Sequence, residues 1–95
     1  MKGVAILGST GSVGESTLDV VARHPDRYRV VALGARSNYA RVLEQVLKFR
    51  PQLAALVDPQ AARELESALA SRGASTRVLA GAQAMATLAT LPEVD

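Results

Sequence analysis

Val4-Ala5-Ile6-Leu7-Gly8-Ser9-Thr10-Gly11-Ser12-Val13-Gly14 is the stretch whose reading decides the fold. The apolar run Val4 to Leu7 is the length of a buried strand, and a helix pattern begins at about Ser12. A strand that feeds a glycine-rich turn into a helix is the opening unit of α/β domains that bind nucleotide phosphates. Gly8 lets the chain leave the strand through a conformation that a Cβ resists. Gly11 removes a side chain where a pyrophosphate would approach the backbone, and Gly14 lets the helix pack closely on the sheet. The first-turn N–H groups have no intrahelical acceptor, and the helix dipole adds partial positive charge there, so an anion completes the arrangement. The spacing is G-x-x-G-x-x-G and not the commoner G-x-G-x-x-G, and a turn of this kind that binds nothing is the competing reading.

Outward from that turn, the spacing predicts a helix over about Ser12 to His24, with Val13, Thr17, Val20 and Val21 on one face and Pro25 ending it. Asp19 and Arg23 form an i,i+4 pair of structural character. His24, the one histidine, reads as a solvated last-turn residue and not as a catalyst. Tyr28 to Leu33 is a second strand with the continuous apolar centre of a parallel sheet covered on both faces.

Gly34 to Asn38 then forms the second loop. NAD-specific domains place an Asp or Glu near this point for the ribose hydroxyls, and this loop has none. Arg36, Ser37 and Asn38 supply instead a guanidinium, a hydroxyl and an amide, the groups suited to the 2′-phosphate of NADP. Ser37 or Asn38 also has the chemistry to cap the next helix, a role compatible with ligand contact.

That helix is predicted over about Tyr39 to Phe49, with Val42, Leu43, Val46 and Leu47 as its apolar stripe and Glu44 and Lys48 as an i,i+4 pair. Leu53 to Val57 is a third buried strand. Asp58-Pro59 is an N-cap followed by a proline at the first helical position. The helix it starts runs to about Arg72, burying Ala62, Leu65 and Leu69, with Gly73 at its C-terminal cap. Arg77 to Ala80 is a short fourth strand, and Ala82 to Leu91 a helix with Met85, Leu88 and Ala89 inward. A further strand is expected to begin at Glu93-Val94-Asp95.

Composition narrows the function classes. Ninety-five residues, 48% of them hydrophobic and 21% charged, describe one globular domain. Cysteine is absent, which removes disulfides, thiolate metal sites and cysteine nucleophiles and fits a cytoplasmic protein. A formal charge of +2, scattered arginines and three aromatics (Tyr28, Tyr39, Phe49) argue against nucleic-acid binding. The sequence shows neither a secretory signal nor a membrane span.

The first motif, extended through Ser16-Thr17-Leu18-Asp19-Val20-Val21, resembles the amino terminus of the 1-deoxy-D-xylulose 5-phosphate reductoisomerases. Tyr28-Arg29-Val30-Val31-Ala32-Leu33, Asn38, Pro51, Val78-Leu79-Ala80-Gly81 and Leu91-Pro92-Glu93-Val94-Asp95 extend the resemblance over the whole chain. It implies a Rossmann-like, doubly wound parallel sheet of which residues 1–95 are the incomplete amino-terminal part, with spatial order 4-3-2-1 and the next strand beyond the first.

The activity implied is rearrangement and NADPH reduction of 1-deoxy-D-xylulose 5-phosphate to 2-C-methyl-D-erythritol 4-phosphate, in non-mevalonate isoprenoid biosynthesis. Carried across by motif, Gly8, Thr10, Gly11, Ser12 and Val13 lie against the NADPH phosphates and adjoining ribose, and Arg36, Ser37 and Asn38 surround the 2′-phosphate. Family members often have Gly-Lys-Asn or Gly-Arg-Asn where Arg36-Ser37-Asn38 stands, so the basic residue is displaced by one position. The family's divalent metal (Mg or Mn), sugar-phosphate site and homodimer belong to sequence outside these residues, and no catalytic or metal role falls on this chain. A cofactor domain of a semialdehyde or acyl-phosphate reductase and a non-catalytic nucleotide-sensing module are the other readings of the turn.

Overall fold

The computed structural model describes residues 1–92 and 94; Glu93 and Asp95, and with them part of the Leu91–Asp95 motif and the start of a further strand, lie outside the described residues. Strands β1 (Lys2–Leu7), β2 (Tyr28–Ala35), β3 (Leu53–Leu56) and β4 (Arg77–Ala80) alternate with helices α1 (Ser12–Arg23), α2 (Tyr39–Phe49), α3 (Pro59–Ser71) and α4 (Ala82–Ala89). All neighbouring strands pair in parallel in the order β1-β2-β3-β4. Read from the other edge this is the 4-3-2-1 order anticipated above.

Side chains alternate between two layers. Ile6, Leu33, Ala35, Ala54 and Leu56 face a core closed by Leu18 and Val21 of α1, Val42 and Val46 of α2, and Ala61, Ala62, Leu65 and Leu69 of α3. Ala32 and Ala55 face the other way, against Ala84 and Leu88 of α4, with Ala5, Leu53, Leu79 and Met85 around them. Three helices therefore cover one face and α4 the other, which makes the sheet doubly wound.

Val4 pairs with Val30 but Ala5 with Ala32, so Val31 is an extra residue in β2. This bulge explains why Val30 and Ala32, two apart, serve opposite layers. Strand β2 also runs past Leu33, because Leu7 pairs with Gly34 and Ala35 with Leu56. Gly34 and Ala35 are thus strand and not loop. β3 stops one residue short of Val57, whose N–H still donates to Ala35 O at 3.1 Å.

The predicted face of α1 is corrected. Gly14, Leu18 and Val21 are buried, whereas Val13 is 79% and Val20 49% exposed. The close packing of Gly14 on the turn sets the rotation of the helix, and positions 18 and 21 then follow it inward. Helix α4 ends at Ala89, not Leu91, and Ala89 is exposed while Ala84 is buried. Glu44 pairs with Arg41 rather than with Lys48, which lies over the Phe49 ring. The caps at Asp58 and the burial of Ala62, Leu65 and Leu69 match the sequence reading.

Candidate functional site

Loops following β1 and β2 emerge side by side, because Leu7 and Gly34 are partners in the ladder. The carboxyl end of a parallel sheet is where α/β folds place their ligands. The first loop is held from beneath by β2: the N–H groups of Gly8 and Ser9 both donate to Gly34 O, at 2.7 and 2.9 Å. Gly8 then turns the chain at φ +84°, the left-handed region the sequence reading reserved for it. Gly11 N–H closes back on Gly8 O at 3.1 Å.

Gly14 of α1 packs on this loop and not on the sheet. A Cβ there would stand 2.2 Å from Gly8 O and 2.8 Å from Ser9 Cα, so only glycine lets the first turn of α1 settle on the loop. A Cβ on Gly11 meets nothing nearer than Gly8 O at 3.6 Å, so the fold itself makes no steric demand there.

Gly11, at the N-cap of α1, supplies no side-chain cap, whereas Asn38 caps α2 by accepting from Arg41 N–H and Asp58 caps α3 by accepting from Gln60 N–H. Among the described residues the amides of Ser12 and Val13 find no acceptor. A cleft of about 420 Å³ runs along β1 and these amides, lined by Gly8, Gly11, Ser12 and Val13 together with Val4 to Leu7, Gly14 and Thr17. Thr10 is half-buried and does not line it.

Arg36, Ser37 and Asn38 are exposed and lie outside that cleft, on the neighbouring loop. Their backbone is fixed even so. Arg36 O accepts from Asp58 N–H at 2.9 Å, Ser37 O from Tyr39 N–H at 2.8 Å, and Asn38 Oδ1 from Arg41 N–H at 3.2 Å. Asn38, not Ser37, is therefore the cap that the sequence left open between them.

Sequence reasoning missed the residues behind the first loop. Arg41 grips Glu15 with Nε and a terminal nitrogen and also reaches Glu44. Gln45 Nε2 donates to Ser9 O at 2.8 Å and to Glu15 Oε1 at 3.3 Å. The Arg41 hydrogen bonds hold the Glu15 carboxyl below its ordinary range against the opposing effect of burial, with the Arg41 charge and Gln45 assisting. The same contacts, Glu15 first and Glu44 second, raise Arg41 above its usual value. A fixed spacing rule could not have found a pair 26 residues apart; the only signal was an acidic residue in the first turn of the helix that follows the glycine-rich loop.

A broader groove of about 620 Å³ between α1 and α2 is lined by these charges with Asp19, Lys48 and Phe49. It presents carboxylates already paired with cations and no free first-turn amides, so the smaller cleft has the chemistry for a phosphate. Among the described residues no group of three or more His, Cys, Asp or Glu could hold a metal ion, and no helix is long and apolar enough to cross a membrane.

Residues 4–95 match the family model described as 1-deoxy-D-xylulose 5-phosphate reductoisomerase. The reductoisomerase of Methylococcus capsulatus is 55% identical over 96 residues, all of this chain and 24% of that protein. That of Nitrosomonas europaea is 53% identical over 92 residues, 97% of this chain and 22% of its own length. The chain thus spans less than a quarter of these relatives. A crystal structure of DOX-P reductoisomerase with NADPH, fosmidomycin and magnesium superposes with TM-score 0.94 at 33% identity, over 100% of this chain and 23% of that one. The Zymomonas mobilis enzyme in complex with NADPH gives TM-score 0.89 at 37% identity, over 97% of this chain and 24% of that one.

Proposed function

The chain belongs to the 1-deoxy-D-xylulose 5-phosphate reductoisomerase family, and on that premise we propose that it is the amino-terminal, NADPH-binding portion of such an enzyme. The observation that carries the reading is the uncapped start of α1, with acceptor-free amides at Ser12 and Val13, beside a second loop that has a guanidinium and no carboxylate.

In this reading NADPH supplies the hydride that reduces the rearranged sugar phosphate. The residues of this chain bind and orient it. Gly8, Thr10, Gly11, Ser12 and Val13 receive the diphosphate and adjoining ribose, with the α1 dipole favouring the negative charge. Arg36, Ser37 and Asn38 meet the 2′-phosphate. Ser37 and Asn38 carry the neutral donors, and Arg36 adds a charge contact at the position where many relatives place glycine.

The proposal assigns no catalytic side chain to residues 1–95. The acids that hold the divalent metal, the sugar-phosphate site and the contacts of a homodimer belong to sequence outside them, and the working compartment is the cytoplasm. A further strand beside β1 is part of the same proposal. It is supported by α4, which crosses to the opposite face of the sheet and packs against Ala5 of β1.

The test is a calorimetric titration with NADPH and with NADH. A charge pair at 4 Å and an effective dielectric of about 20 is worth roughly 4 kcal/mol before desolvation, and a third of that gives about a tenfold preference for NADPH. Arg36→Ala should abolish the preference. Equal affinity for the two cofactors in the unsubstituted chain would sink the 2′-phosphate assignment, and binding of neither would sink the cofactor site in the isolated chain. Preferential binding of another nucleotide would favour a sensing module instead.

A further inference from the structure

Gln45 is 3% exposed on α2, and Ser9 is fully buried in the first loop. Gln45 Nε2 donates to Ser9 O at 2.8 Å, while Gln45 Oε1 and Ser9 Oγ are buried with no hydrogen-bond partner. Leaving a buried polar atom unpartnered opposes stability. An apolar side chain would suit this position between Val42 and Val46 better as packing, so the amide is explained by what its nitrogen holds.

We propose that Gln45 is a positioning residue for the phosphate turn, fixing the Ser9 carbonyl so that the amides following it stay open to the cofactor diphosphate. The inference rests on the cofactor reading above. In a helix begun one turn earlier, Val13 N–H would donate to Ser9 O, four residues before it. Gln45 draws that carbonyl toward α2 instead, and α1 begins only at Ser12 with Val13 N–H unused. Ser9 is held at both backbone groups, its N–H by Gly34 O and its carbonyl by Gln45, and Thr10 and Gly11 extend from that anchor. The second Gln45 contact, to Glu15 Oε1 at 3.3 Å, ties the same amide to the first turn of α1.

The test uses the full chain, alone and joined to the remaining part of the Methylococcus capsulatus relative, where NADPH turnover is readable. Gln45→Met keeps the length of the side chain and removes its donor. The expected result is a KM for NADPH raised about tenfold with kcat within about twofold of the parent, and Tm no lower than the parent's. An unchanged KM, or KM and kcat moving together with a lowered Tm, overturns the positioning role.

Hydrogen exchange supplies a readout that needs no cofactor. Gln45→Met should speed exchange at Ser9 and Gly11, whose N–H groups are bonded to Gly34 O and Gly8 O, by about tenfold while β3 amides keep their rates; rates at Ser9 and Gly11 unchanged from the parent overturn the inference. Gln45→Glu, the same shape with an acceptor in place of the donor, is the second variant for both assays should Gln45→Met fail to fold, and should loosen the turn as well. A parent chain that binds no NADPH in the titration above refutes the cofactor reading instead and leaves the exchange result to decide the role of Gln45.

Discussion

Arg41 donates to both carboxylate oxygens of Glu15, from Nε at 2.5 Å and from a terminal nitrogen at 2.8 Å, and so joins α2 to the first turn of α1. Glu15 would otherwise place an unneutralised negative charge beside a helix start that favours anions. Arg41→Ala should therefore weaken NADPH binding and lower Tm, and adding Glu15→Gln should recover most of the binding. The loss on Arg41→Ala should shrink between 0.1 M and 1 M NaCl, as the screening length falls from about 10 Å to about 3 Å. A binding loss that Glu15→Gln fails to relieve would show that Arg41 acts on the cofactor directly.

The same pair sets a pH dependence. Arg41 depresses the folded-state pKa of Glu15 below 4.5, so the pair stabilises fully above that value and is lost as pH falls through the lower, folded value. Chemical denaturation of the parent and of Glu15→Gln, compared from pH 7 to pH 3, should show their stability difference constant down to about pH 5 and shrinking below it. A difference that grows on acidification would reverse the assignment.

Two glycines three residues apart should separate cleanly. Gly14→Ala forces a Cβ to 2.2 Å from Gly8 O, and backbone cannot yield as a side chain does; a loss of about 3 kcal/mol is expected in urea denaturation. Gly11→Ala meets only an ordinary contact at 3.6 Å, with extended backbone at φ −80° and ψ 170°. It should leave the urea midpoint nearly unchanged and still impair NADPH binding. Normal binding by Gly11→Ala would remove the close-approach argument for that position.

Gly34 should couple to Met85. A Cβ at Gly34 lies 2.7 Å from Met85 Sδ and 3.0 Å from Leu88 Cδ1, so Gly34→Ala should cost about 1–2 kcal/mol as these side-chain ends are forced into poorer rotamers. Combined with Met85→Ala, the two losses should sum to less than their separate values by about 0.5 kcal/mol or more. Additive losses in thermal unfolding would show that the contact is relieved elsewhere.

Arg50 caps α2 at φ +52°, a left-handed conformation in a residue with a Cβ. Arg50→Gly should raise stability by about 0.5 kcal/mol, the relief of strain exceeding the added entropy of the unfolded chain. A lowered Tm in calorimetry would assign the Arg50 side chain a stabilising contact of its own.

The order of strands and helices was legible because each strand is a short apolar run bounded by Gly or Pro and each helix carries a 3.6-residue pattern. Burial on α1 was not, because Val13 and Val20 are as apolar as Leu18 and Val21. The rotation of that helix is decided by one missing Cβ at Gly14, which hydrophobicity does not weigh. In the site, the backbone of the first loop was readable from Gly8, whose φ of +84° is a conformation that a Cβ resists. Glu15, Arg41 and Gln45 meet only after α1 and α2 have packed together. Gly34 hid for the same reason: it looked like the opening of a loop, yet its carbonyl anchors Gly8 and Ser9 while its missing side chain admits Met85.

Strand order in this sheet equals chain order, β1-β2-β3-β4. As the polypeptide is synthesised, each new strand finds its partner already made, one helix earlier in the chain. None need wait for a distant segment, so loop closure stays short at every step. Such a sheet is suited to assembling vectorially on the ribosome. The glycine-rich turn after β1, pinned to Gly34 near the end of β2, would take shape as soon as the second strand is in place.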